Sequence, residues 1–160
     1  MKELLELYIK QNFEVPILNE YQVLSADFAC YTAAKKCSIN EYIDNNKSLN
    51  DFQTLLFKLI DDRNLKDSDV YNKVHIDRRL FSKIRSDNSY HPSKETIILL
   101  GISLELNEEE IDELLNSASY SLPKNNYYDL IIRFCFVNKI YDLVQINDLL
   151  NSYNCKLFSY

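Results

Sequence analysis

With 160 residues, 46% of them hydrophobic, the chain is long and apolar enough to bury a real core, which excludes disorder. One glycine and three prolines are too few for the tight turns of a strand-rich fold, so the sequence reads as all-α, a helical bundle with short polar loops. The net charge of -6 argues against a tight, indiscriminate binder of nucleic acid, but it is uneven: -2 over residues 1–48, +2 over 49–94 and -6 over 95–160.

In chain order, residues 2–11 put Leu4, Leu5, Tyr8 and Ile9 on one side of a short amphipathic helix. Val15-Pro16-Ile17 interrupts it, because the residue before a proline is pushed out of the α region. A longer helix is expected over 20–36, with Tyr21, Leu24, Phe28 and Tyr31 as its stripe, and Ser38 and Glu41 form a capping box for one more turn or two. Asn45-Asn46-Lys47-Ser48 reads as a linker, which makes 1–48 a helical N-terminal extension, a dimerisation arm or part of one continuous core.

Residues 51–63 carry Phe52, Leu55, Leu56, Leu59 and Ile60 at helical spacing. A short helix follows over 67–74, capped by Asp67 or Ser68 and with acids in its first turn. His75 then falls where the chain needs a positive φ, a conformation in which His is enriched. A helix starting at Asp77 puts Leu80, Phe81 and Ile84 on one arc and Arg78, Arg79, Ser82, Lys83 and Arg85 on the other. Between Lys73 and Arg85 five cations face one anion, Asp77. The apolar arc can dock on a bundle while the basic arc enters a phosphate-lined groove, although such a run can also be a solvated face.

Ser93 caps a helix to about 104, and Asn107 with Glu110 makes a capping box on a helix to about 118. After Leu122-Pro123-Lys124, residues 127–137 are apolar almost all round, so that helix must be central or lie at a homodimer interface. A last helix over 142–153 aligns Ile146, Leu149, Leu150 and Tyr153, and the Leu157-Phe158-Ser159-Tyr160 tail is apolar enough to pack. The residues 49–120 thus form a central unit, and 121–160 a C-terminal helical pair packed on it.

The run from Ile76 through Ile84 and Pro92-Ser93-Lys94-Glu95-Thr96 resemble the phage-repressor-like (Cro/Xre) helix-turn-helix, over about 49–120. Together with Val70-Tyr71 and with Arg85-Ser86 they are most similar to the helix-turn-helix-like module found behind bacterial macro domains. The resemblance implies a DNA-binding transcriptional regulator, a homodimer on duplex DNA. Arg78, Arg79 and Lys83 would then read bases, with Ser82, Lys73 and Arg85 nearer phosphates. Two residues depart from the repressor pattern: Tyr71 stands where a small residue is usual, and His75 replaces the turn glycine. A bulky Tyr71 would spread the helix pair or project outward. With Leu80 at a usually polar position, it supports a second reading, a protein-interaction or adaptor module in a bacterial or phage defence or stress system.

Other chemistries find little support. Cys30, Cys37, Cys135 and Cys155 make no CxxC pair, so no zinc or other metal is expected, and Gly101 alone cannot build a phosphate loop. His75 and His91 are the only histidines, and the Glu108-Glu109-Glu110 run suits a helix N-terminus better than acid–base work. No enzyme activity and no cofactor are expected. Without a signal peptide or an apolar run of spanning length, the chain reads as cytoplasmic, with no membrane partner.

Overall fold

The computed structural model describes residues 2–13, 51–87 and 89–159. The expected helix over 20–36, the Ser38–Glu41 capping box, the 45–48 linker, Cys30 and Cys37 lie outside these. Eight α-helices and no strand occur among the described residues: α1 Lys2–Phe13, α2 Phe52–Asp62, α3 Asp67–Lys73, α4 Arg78–Ser86, α5 Lys94–Ser103, α6 Glu108–Ser117, α7 Tyr127–Val137 and α8 Leu143–Ser152. The protein is an all-α bundle.

Two helices make its centre. In α7, Leu130, Ile131, Ile132, Phe134, Cys135 and Phe136 are buried, so most of its apolar surface is covered within one chain, while Tyr127 and Val137 at its two ends are exposed. Burial pushes the Cys135 thiol up to about 12, which leaves it protonated. The other central helix is α5, where Ile97, Ile98, Leu100, Gly101, Ile102 and Ser103 are all buried. Around this pair, α5 packs on α3 and α6, α6 on α2 and α7, and α7 on α1 and α8. On α1, Leu5 and Ile9 enter the core and the Tyr8 ring meets Phe134 edge-on at 5.4 Å. Leu4, expected on the same side, is 61% exposed. In the tail, Phe158 is buried and Leu157 is not.

Local chemistry starts most helices. Ser93, Asn107, Asn126 and Asp142 each accept a backbone N–H of the first turn, and Asn107 with Glu110 completes the expected capping box. Burial opposes the Glu110 charge, but the Asn107 N–H and the Arg63 guanidinium outweigh it and hold the carboxyl below its usual range. Helix ends follow a single scheme. Asn64, His75, Glu105, Ser119, Lys139 and Asn154 adopt φ between 51° and 61°, so six helices stop on a left-handed residue that is not glycine. In each, the next residue donates its N–H back to the last turn, as Ile76 does to Tyr71 O at 2.9 Å and Ile140 to Cys135 O at 2.8 Å.

The only glycine serves packing instead. A Cβ on Gly101 would lie 2.5 Å from Ile111 Cδ1 and 3.2 Å from Phe136 Cζ, so α5, α6 and α7 meet at a point that admits a methyl group only if these two buried side chains shift. Gly101→Ala gains about 1 kcal/mol of helix propensity but overpacks the core by about 2–3 kcal/mol, for an expected net loss of about 1–2 kcal/mol. Urea unfolding measures it. Ile111→Val removes the clashing methyl, so it should recover part of the loss in the Gly101→Ala background while costing stability alone.

Candidate nucleic-acid interface

The basic stretch lies on α3, α4 and the connection between them. Val70, Val74 and Ile76 are buried, and Ser103 Oγ donates to Val70 O at 2.6 Å, fixing α3 against the central helix α5. His75 takes φ 55° at the turn, as expected for that position. Asp77 then caps α4 by accepting Arg79 N–H at 2.6 Å. Phe81 and Ile84 are buried and Leu80 is partly so, while Arg78, Arg79, Ser82, Lys83 and Arg85 are exposed. The two arcs of the sequence reading are therefore the two faces of α4.

One expected cap is corrected. Neither Asp67 nor Ser68 caps α3: the capping position is Lys66, with no side-chain hydrogen bond, and Asp67 is the first helical residue. The Asp67 carboxylate is engaged elsewhere, accepting from Arg85 Nη2 at 2.7 Å across the gap to α4. The Arg85 guanidinium also lies over the Phe57 ring, 4.2 Å from its centroid. Tyr71 packs partly buried against Phe81, with ring centroids 5.5 Å apart, and Leu80 likewise rests against the core. Both residues assigned to a protein contact thus have part of their apolar surface covered by the chain itself.

The six polar residues assigned to DNA are not equivalent. Lys73 is ion-paired with Glu105, as Arg85 is with Asp67. Lys83 Nζ sits 4.4 Å above the Tyr90 ring, a cation–π contact, and makes no ion pair among the described residues. Nearby, Ser89 donates its hydroxyl and its N–H to Asp87, which holds that carboxyl below its usual range; Lys83 adds a smaller pull in the same direction. Ser82 is exposed on the same face. Of the chain's five arginines, Arg63 is held by Glu110, Arg133 by Glu108 and Asp112, and Arg85 by Asp67. Arg78 and Arg79, side by side in the first turn of α4, have no carboxylate partner among the described residues.

Between α3 and α4 runs an open groove of about 640 Å³, to which Lys66, Arg78 and Arg85 contribute charge and Ser68, Tyr71 and Ser82 hydroxyls. Sequence reasoning missed Lys66 and Asp67 as parts of this site. Lys66 stands just ahead of α3 outside the helical pattern, and the Asp67–Arg85 pair spans 18 residues, which no local spacing reveals. Among the described residues no group of His, Cys, Asp and Glu could hold a metal ion, and no helix is long and apolar enough to cross a membrane. Protein-family models, curated proteins and solved structures were compared with the chain, and none matches.

Proposed function

We propose that the chain is a DNA-binding regulator of the helix-turn-helix kind, in which α3 and α4 form the paired helices and α4 enters the major groove of duplex DNA. The observation that carries this reading is the unpaired Arg78–Arg79 couple. Acids outnumber bases in this chain, 24 to 18, and the three other arginines are held by carboxylates. Leaving two adjacent guanidinium groups open to solvent is what a base reader needs, since arginine pairs bidentately with guanine. Lys83 extends the same face, and Phe81 and Ile84 anchor the helix from behind.

The adaptor reading draws less support, because Tyr71 and Leu80 are both packed against the core. The homodimer rests on the repressor resemblance, since most of the apolar surface of α7 is covered within one chain.

Electrophoretic titration of the protein against duplex DNA at two salt concentrations tests the proposal. Arg79→Ala is expected to cost about 1–3 kcal/mol on a selected preferred sequence and much less on random duplex. Absence of binding by the wild type at low salt would leave the adaptor reading in its place.

A further inference from the structure

We propose that Asp67 is a built-in stand-in for a DNA phosphate: it holds Arg85 in the free protein and so sets how tightly, and with what salt dependence, the paired helices α3 and α4 bind duplex DNA. The inference rests on the DNA-binding reading above and names the residue that tunes that site.

Three observations converge. First, Asp67 is the one acid among the residues lining a groove that otherwise carries Lys66, Arg78 and Arg85. Second, the Asp67–Arg85 pair differs from the other arginine pairs in exposure. Arg63 and Arg133 are 26% and 12% exposed, each binding a carboxylate through two hydrogen bonds, and serve the bundle. Arg85 is 50% exposed, joined to Asp67 by one hydrogen bond from Nη2, and an open pair of this kind is weak enough for a competing anion to displace. Third, the Phe57 ring lies 4.2 Å from the guanidinium carbon, a platform that can hold the head group in place while its anionic partner changes.

The exchange has a definite ionic balance. When a phosphate oxygen replaces the Asp67 carboxylate on Arg85, the freed carboxylate is left beside the phosphates and repels them. The Asp67–Arg85 pair is electrically neutral towards DNA, so Arg85 adds little to the salt slope of the wild type. With Asp67 neutral, Arg85 contributes its full share.

Duplex titrations over a salt series, using wild type, Asp67→Asn, Asp69→Asn and each of these with Arg85→Gln, test the proposal. Circular dichroism and thermal melting establish that each variant is folded. Asp67→Asn is expected to bind about fivefold to tenfold more tightly at low salt, with log K against log salt steeper by about 0.9. That gain should vanish in the Arg85→Gln background. Asp69→Asn makes the same charge change on the same exposed helix without touching Arg85, and its smaller gain should survive there. Equal gains for the two variants in both backgrounds would overturn the role of Asp67 and leave the DNA-binding reading standing. Failure of wild type and Asp67→Asn alike to bind duplex at low salt would overturn the reading and the inference together.

Discussion

Replacing Arg78, Arg79 and Lys83 together by alanine is expected to lower affinity for duplex DNA by at least about a hundredfold, with the melting temperature nearly unchanged. One lost bidentate base contact accounts for about 1–3 kcal/mol, and two further lost cations remove phosphate attraction, so a total near 3–4 kcal/mol is conservative. The fold should lose little, because all three side chains project from the exposed face of α4, none makes an ion pair among the described residues, and only the exposed contact of Lys83 with the Tyr90 ring is given up. The helix keeps its Asp77 cap and its Phe81 and Ile84 anchors. Tight DNA binding that outlives the triple substitution would remove α4 from the interface altogether.

The largest effect on stability is expected at Phe136. Its ring is 2% exposed, meets Tyr141 edge-on at 6.2 Å and closes over Gly101, at the junction of both central helices. Phe136→Ala should cost about 3–5 kcal/mol, from lost transfer energy and the cavity left among neighbours that cannot collapse. That is a large part of the stability of a typical domain, so a sharp fall in the urea midpoint is expected. Val137, the next residue, is 43% exposed, and Val137→Ala should stay within about 0.5 kcal/mol. Similar losses for the two variants would mean that α7 is not oriented as described.

Helix positions were largely legible in the sequence because their signals are local. The Ser93 and Asn107 caps and the Phe81/Ile84 spacing each lie within one or two turns of what they determine. What escaped depends on distant partners. Arg133 interrupts the apolar run of α7, and nothing nearby shows that it is bound to Glu108, 25 residues away, and Asp112, 21 away. Two of the three acids in the Glu108-Glu109-Glu110 run accordingly hold arginines, a use beyond matching the helix dipole. Leu4 was misplaced because helical periodicity gives an apolar side but not the width of the surface that meets it. In the candidate site, the basic face of α4 could be read from spacing, whereas the pairing of Lys73 with Glu105 and Arg85 with Asp67 could not.

The six left-handed residues that end helices without glycine make those ends a property of the assembled bundle. In an L-residue the left-handed conformation costs about 1–2 kcal/mol. At the end of α3 this is offset by burying Ile76, the residue after the turn, which is only 7% exposed. A peptide cut from 67–87 would have no such compensation. With neither glycine nor proline between Lys73 and Arg78, nothing local would compel the bend. The angle at which the basic face is presented is thus written into the core around Ile76, and a fragment carrying every charged residue of the site would still lack its geometry.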